Sequence, residues 1–244
     1  MVIFVTASPV FPGKNNFIRV LRERHPEITT VIQNINNMHT SMVLGKKEKV
    51  MYGKGYIEDV LCGLKFRISP GSFYQVNPAQ TEKLYEKAIS LAGLTGKETV
   101  LDAYCGVGTI GLIASRNAAE VIGVELNAEA VRDAVKNASL NGIKNISFYE
   151  NDAGVFLEDL SRSDKKIDVI IMDPPRTGST PEFIQSAVRT GPGKIIYISC
   201  NPATLSSDLG EFAKYGWHMK EAWPFDCFPQ TSHVETVVLM ERHK

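Results

Sequence analysis

Residues 99–113, "TVLDAYCGVGTIGLI", decide the fold. A β-rich apolar run reaches Asp102, three glycines follow at Gly106, Gly108 and Gly111, and an apolar helical stretch begins among them. A strand that passes through a glycine turn into a helix is the first half of a βαβ unit. The same rhythm continues outward. "EVIGVE" (120–125) reads as a strand, and "NAEAVRDAVKNASLNG" (127–142) as a helix that Gly142 stops. "ISFYE" (146–150), "IDVIIMD" (167–173) and "KIIYIS" (194–199) are three more strands with helical patterns between them. Upstream, Asn77 can cap a helix with Pro78 at its first position, and Leu84, Ala88 and Leu91 share one face. Downstream, "WHMKEAWPFDCFP" (217–229) and "HVETVVLME" (233–241) alternate as an antiparallel edge pair. The expected architecture is α/β and Rossmann-like: a mostly parallel sheet, helices on both faces and an antiparallel edge.

The first 72 residues differ in rhythm and read as a small α/β subdomain, leaving 73–244 as the larger domain. "MVIFVTA" is a strand, "NNFIRVLRERHP" (15–26) a helix ended by Pro26, and "ITTVIQNIN" (28–36) a strand. "KVMYGKGYIEDVLCGLKFRIS" (49–69) reads as hairpins around Gly53, Gly55 and Gly63.

Composition narrows the class. With 43% hydrophobic and 22% charged residues over 244 positions, the chain is an ordinary globular sequence. No apolar run reaches the roughly 18 residues of a membrane span. The opening has no basic segment, so it does not read as a signal peptide. A cytoplasmic protein without a membrane partner is expected, as a monomer. Cys62, Cys105, Cys200 and Cys227 are scattered, without CxxC or HExxH. No metal site and no iron–sulfur cluster are therefore expected in this chain, nor a disulfide framework. Lys+Arg and Asp+Glu are both 27, which argues against a stand-alone nucleic-acid binder. The basic clusters "RVLRERH" (19–25) and "GKKEK" (45–49) read first as solvated faces.

In an open parallel sheet, ligands bind beyond the carboxyl ends of the strands. Gly106, Gly108 and Gly111 match GxGxxG and let the backbone approach a ligand before a helix N-terminus. Asp102 ends the preceding strand, where a carboxylate repels a pyrophosphate but can pair with a cation. S-adenosylmethionine, with an ammonium and a sulfonium, suits that position better than a dinucleotide. Glu125 ends the second strand, about 20 residues on, where a carboxylate accepts both ribose hydroxyls. Asp152 can face the adenine amine or simply cap the helix "AGVFLEDL" (153–160). Tyr104 can stack on the cofactor or pack. Asp173 leads into Pro174-Pro175-Arg176, a stiffened loop that fixes where its carboxylate points. Amine-methylating enzymes often carry an aromatic residue after such prolines. Arg176 at that place counts against amine chemistry.

Cys200 emerges on the same rim, after "KIIYIS". A thiolate is what methylation of C5 of a pyrimidine requires, because C5 of uracil is a poor nucleophile until a group adds at C6. Glu235, beside the apolar run Val237-Val238-Leu239, is a candidate base whose pKa desolvation would raise, or a strand-edge ion-pair partner. His233 precedes it by two, so strand alternation places both on one face.

At these residues the sequence resembles the RNA uracil-5-methyltransferases of ribosomal and transfer RNA. The resemblance rests on "SFYQVNPAQTEKLY" (72–85), "LDAYCGVGTIGL" (101–112), "GVELNAEAV" (123–131), "DPPR" (173–176), "SCNPATL" (199–205) and "DCFPQTSHVETV" (226–237). It implies an S-adenosylmethionine-dependent methyltransferase fold with Cys200 as nucleophile and Glu235 as base. It implies that Gln75, Tyr104, Glu125 and Asp173 hold the cofactor; Gln75 carries no signal of its own. It also implies an RNA partner, a loop uridine, with 23S ribosomal RNA ranked ahead of transfer RNA. Two family features are missing from the sequence, the N-terminal TRAM barrel and the iron–sulfur cysteine cluster, so it reads as the central and catalytic portions. Cys227 stands where the family more often has Met, and is expected to fill an apolar gap. The rivals are an amino-group methyltransferase acting on nucleic acid or protein, a non-catalytic RNA-binding or RNA-folding module and, weakest, a nicotinamide oxidoreductase.

Overall fold

A computed structural model of the protein describes residues 1–38, 43–163 and 165–242. The chain forms two compact units, one of residues 1–59 and 67–72, the other of residues 60–66 and 73–244.

In the first unit β1 (Val2–Thr6) pairs in parallel with β2 (Val31–Ile35), and the helix α1 (Lys14–Arg24) connects them. The rings of Phe4, Phe11 and Phe17 pack with centroids 5.1–6.1 Å apart, tying β1 to α1. The segment 49–69 differs from its sequence reading. Only β4 (Ile57–Leu61) and β5 (Leu64–Ile68) form a local hairpin, turning at Cys62 (φ 48°) and Gly63 (φ 71°). Two consecutive positive φ values match the right-handed twist of the strands. The strand β3 (Lys47–Tyr52) instead pairs antiparallel with β2. The glycines at 53 and 55 therefore separate strands of different sheets. The hairpin tip, residues 60–66, is assigned to the second unit, so the division along the chain is not the single cut expected at 72/73.

The second unit opens with α2 (Pro78–Ala92). Asn77 caps it, accepting from the Gln80 N–H, and Leu84, Ala88 and Leu91 are buried. Then β6 (Thr99–Ala103), α3 (Thr109–Ala114), β7 (Glu120–Glu125), α4 (Ala128–Leu140) and β8 (Ile146–Glu150) follow. The chain continues through α5 (Ala153–Ser161), β9 (Val169–Met172), α6 (Pro181–Arg189), β10 (Lys194–Ser199) and α7 (Pro202–Ala213). It finishes with β11 (Trp217–Phe225) and β12 (Glu235–Arg242). The seven strands lie in the order β11-β12-β10-β9-β6-β7-β8. From β8 to β10 all neighbours are parallel; β12 runs antiparallel to both β10 and β11.

Alternation along the strands feeds two apolar layers. Ile196, Ile198, Val237 and Leu239 pack on one face with Leu84, Ala88 and Leu91 of α2. Ile195, Tyr197, Val238 and Met240 pack on the other with Leu157, Phe183, Leu205 and Phe212 of α5 to α7. The order reverses at β6: the chain builds outward through β7 and β8, then returns to place β9 on the other side of β6. The carboxyl ends of β6 and β9 thus flank a topological switch point, where open α/β sheets bind ligands. No helix among the described residues is long and apolar enough to cross a membrane.

Candidate active site

The turn after β6 is the first wall of the site. Tyr104 (φ 65°) and Gly106 (φ 55°) both take left-handed backbone, which costs a tyrosine strain that glycine does not incur. A Cβ on Gly106 would meet nothing within 4 Å, so its open side faces free space. Its N–H donates to Glu125 Oε2 (3.1 Å), and the Asn127 N–H donates to Oε1 (2.7 Å). The Glu125 carboxylate is fixed at the end of β7 by two backbone donors. Tyr104 packs its ring on Phe183 (5.3 Å between centroids), and its hydroxyl lies 3.5 Å from Ser179 Oγ.

Asp152 caps α5, with Oδ1 accepting from the Gly154 (2.9 Å) and Val155 (3.0 Å) N–H groups. The capping role is therefore realised; both bonds use Oδ1, leaving Oδ2 clear of them. Asp102 departs from the sequence reading. It is fully buried beneath the first turn of α3, and Oδ2 accepts from the Gly111 N–H (2.8 Å). A Cβ on Gly111 would sit 2.7 Å from that oxygen, so the glycine is needed to let the carboxylate in. Oδ1 has no hydrogen-bond partner. A buried carboxylate oxygen without a donor favours a nearby cation.

Past β9, the half-buried Asp173 joins the same group. Burial, then Glu235 and Asp102, push its carboxyl up to about 8, and burial pushes Asp102 up to about 7. A site whose carboxylates repel one another, beside an open glycine turn, fits a cationic ligand with hydroxyls. S-adenosylmethionine satisfies that test. Gln75 is buried just before α2, 7% exposed.

Cys200 lies between the end of β10 and the Asn201 cap of α7, half-buried. The antiparallel register supplies its neighbour. Ile198 pairs with Val237 and Ser199 with Thr236, where the ladder ends, so Cys200 and Glu235 are the next residues of the two segments, close enough for the Glu235 charge to act on the thiol. Glu235 is 3% exposed, and burial holds its carboxyl above the usual range. Burial raises the Cys200 thiol, Glu235 and Asp173 raise it further, and the Arg176 guanidinium opposes them. Arg176 also pulls Glu235 down. In the sequence Arg176 counts only against amine chemistry; folding makes it the cation that both Cys200 and Glu235 feel. Its position in a proline-stiffened loop on the strand-end rim was the available signal.

His233 is corrected. The strand begins at Glu235, so alternation does not reach His233, which is exposed. Its ring nitrogens lie 3.4–3.5 Å from Arg176 Nη2, and Phe228 meets the ring edge-on. Cys227 is buried in the core, where burial and then Glu235 and Asp226 push its thiol up to about 11. A thiol so protonated is a poor nucleophile.

The model of the tRNA (uracil-5-)-methyltransferase family matches residues 20–243. The chain belongs to that family. An RNA methyltransferase of Caldanaerobacter subterraneus subsp. tengcongensis, itself uncharacterised, is 48% identical over 242 residues, covering 99% of this chain and 54% of the relative. Another from Lactiplantibacillus plantarum is 45% identical, covering 100% and 54%. The chain thus spans about half the length of the curated relatives it matches. Among solved structures, the Pyrococcus abyssi tRNA (uracil-54, C5)-methyltransferase in complex with S-adenosyl-L-homocysteine superposes with a TM-score of 0.79 at 28% identity. That match covers 98% of this chain and 55% of the archaeal one. The fold of this family member is that of the S-adenosylmethionine-dependent methyltransferases.

The buried carboxylates make a stability prediction for this family member. Asp102 and Asp173 have pKa values raised above the 3.8 of an unfolded aspartate. Each binds a proton more tightly when folded, so its contribution is complete below about pH 4 and lost as pH rises through 7 and 8. The cofactor-free protein should melt at a lower temperature at pH 9 than at pH 6, and Asp102→Asn should flatten the difference. Calorimetry showing equal melting at both pH values would contradict the clustering.

Proposed function

We propose that this chain methylates C5 of a uridine in structured RNA through a covalent adduct with Cys200, using S-adenosylmethionine. The observation that carries the reading is the end of the β10–β12 ladder at Ser199 and Thr236, which leaves a thiol and a buried carboxylate as the next residues of the two segments, the carboxylate's charge acting on the thiol. Gln75, Tyr104, Gly106, Glu125, Asp152 and Asp173 would hold the cofactor, Glu125 through the ribose hydroxyls and Asp173 by charge. S-adenosylmethionine, when bound, supplies an electrophilic methyl group on a sulfonium sulfur.

The Cys200 thiolate forms a bond to C6 of the uracil, and the displaced π pair makes C5 enolate-like. C5 would take the methyl group as the S–CH3 bond breaks and its electron pair stays on the sulfur, leaving S-adenosylhomocysteine, and would then carry both methyl and hydrogen. The Glu235 carboxylate removes the C5 proton; the returning electron pair restores the C5–C6 double bond and expels the thiolate. Arg176 favours the charged form of both groups. The uridine must leave its stack to reach Cys200, which costs a few kcal/mol and favours a loop nucleotide. The names of the family and of the archaeal relative favour transfer RNA over the ribosomal RNA ranked first from sequence.

The test is an intact-mass measurement with S-adenosylmethionine and 5-fluorouridine-substituted transfer-RNA and ribosomal-RNA loops. Fluorine at C5 cannot leave as a proton does, so the methylated thioether adduct should persist. Cofactor binding without an adduct on either RNA would reopen the amine-methylating reading.

The unit of residues 1–59 and 67–72 carries nine Lys and Arg against five Asp and Glu, while the whole chain is neutral. This surplus supports a role in gripping phosphates. Lys47 and Lys49 are exposed on β3. Replacing both with Ala should weaken RNA binding and reduce the salt slope by about one unit per lost phosphate contact. An unchanged slope in a salt titration would remove those two lysines from the interface.

A further inference from the structure

We propose that Asp208 and Thr204 of α7 form a clamp that positions the Asp173–Arg176 loop against the cysteine that precedes the same helix. Asp208 is 7% exposed, and one of its oxygens takes two donors from different elements. Tyr197 Oη donates to Oδ2 at 2.6 Å, and the Ser179 N–H donates to the same oxygen at 2.8 Å. Tyr197 lies in β10, fully buried, three residues before Cys200. Its hydroxyl is pushed further up by burial and by Asp208, so it remains a donor throughout the working pH range.

Ser179 closes the loop that carries the rim residues. The Gly178 N–H donates to the Pro175 carbonyl (2.8 Å), making the turn that links Arg176 to Ser179. Gly178 takes φ 77°, and a Cβ there would lie 2.8 Å from Asp208 Oδ2. Only glycine lets the loop close so tightly on the carboxylate. The second tie is one turn earlier on α7. Asn201 Nδ2 donates to the Arg176 carbonyl (3.1 Å), and the Thr204 hydroxyl, its one proton shared with the Asn201 carbonyl (3.1 Å), reaches the same oxygen at 3.3 Å. Ser179 Oγ, 3.5 Å from Tyr104 Oη, extends the same arrangement to the glycine turn after β6.

The arrangement gives three strand ends one common reference. The nucleophile's strand, the loop with Asp173 and Arg176, and Tyr104 are all indexed to the first turns of α7. A carboxylate accepting two donors is a stronger tie than a neutral acceptor. Asp208 and Thr204 touch no reacting atom in the scheme above; they act through the loop and are positioning residues. The meaning of the site rests on the methyl-transfer reading, but the position of the loop does not.

Trypsin can report that position, because Arg176–Thr177 is a cleavable bond within the loop. In Asp208→Ala, cleavage at Arg176 should accelerate by about tenfold or more, as expected for loss of a hydrogen bond to a charged group, while other sites keep their rates. The affinity for S-adenosylmethionine by calorimetry should fall by a similar factor. Asp208→Asn, which keeps an acceptor oxygen, should restore most of both, and Thr204→Val should give a smaller loss. If Asp208→Ala does not fold, Thr204→Val carries the test, with a smaller but still selective rise in cleavage at Arg176 and a smaller loss of affinity. Folded variants with wild-type cleavage at Arg176 and wild-type cofactor affinity would overturn the clamp. So would cleavage rising equally at every site with unchanged affinity, since that describes general destabilisation. Selective cleavage at Arg176 in Asp208→Ala, together with a wild-type protein that itself binds no S-adenosylmethionine, would uphold the clamp and sink the proposed function.

Discussion

Cys200→Ala should reduce methyl transfer to background while leaving S-adenosylmethionine binding within about twofold of wild type, since removing a covalent nucleophile costs rate and not cofactor affinity. The reason is the chemistry of uracil. Without addition at C6, C5 has too little electron density to attack a methyl group, and the thiols of Cys227 and Cys105 are poor substitutes. Cys227 is buried with its thiol pushed up to about 11, and Cys105 is buried and raised well above the ordinary range. The 5-fluorouridine adduct should vanish in the same variant. Turnover in Cys200→Ala within about tenfold of wild type would eliminate the covalent mechanism and favour amine methylation.

Glu235→Gln should slow product formation by about 10²- to 10⁴-fold, the usual worth of a positioned general base, and should accumulate the methylated Cys200–RNA adduct on natural uridine. Addition and methyl transfer do not need the carboxylate; removal of the C5 proton does. The two variants therefore separate: one makes no adduct, the other cannot release it. The carboxyl of Glu235 is raised by burial, and a base must be ionised to act. The rate should fall with decreasing pH at a value above that of an ordinary glutamate. Arg176 pulls that carboxyl down, so Arg176→Ala should move the acidic limb to higher pH. A limb that stays in place in Arg176→Ala, or a Glu235→Gln enzyme that releases product at the normal rate without adduct, would assign the proton to another group.

These effects depend on a site that was only partly legible in the sequence. Gly106, Glu125, Asp173 and Cys200 could be read because each lies at a strand end, beside a turn signal its immediate neighbours supply. Gln75 could not, since a loop glutamine carries no periodic or electrostatic mark; only the family resemblance pointed to it. His233 was misplaced because alternation was extended two residues beyond the strand's first residue. Asp102 reads from sequence as the strand's last residue, able to pair with a cation; its burial beneath α3, where the Gly111 N–H holds it, is visible only in the fold. Asp208 drew no notice, because its partners, Tyr197 and Ser179, come from a strand and a loop remote in the order of reading.

The sequence by itself determined the elements and their chemistry. Period-two and helical patterns, glycine turns and helix caps are local, and they specified an α/β chain with carboxylates and one thiol at strand ends. The tertiary structure alone decided which strand ends meet. Strand order put β9 beside β6 rather than beside β8, creating the crevice between the glycine turn and Asp173. The antiparallel pairing of β12 with β10 then brought Glu235 near enough to Cys200 for its charge to raise the thiol. Register is a property of two strands at once, fixed by burial of both their apolar faces, and neither strand's sequence contains it alone.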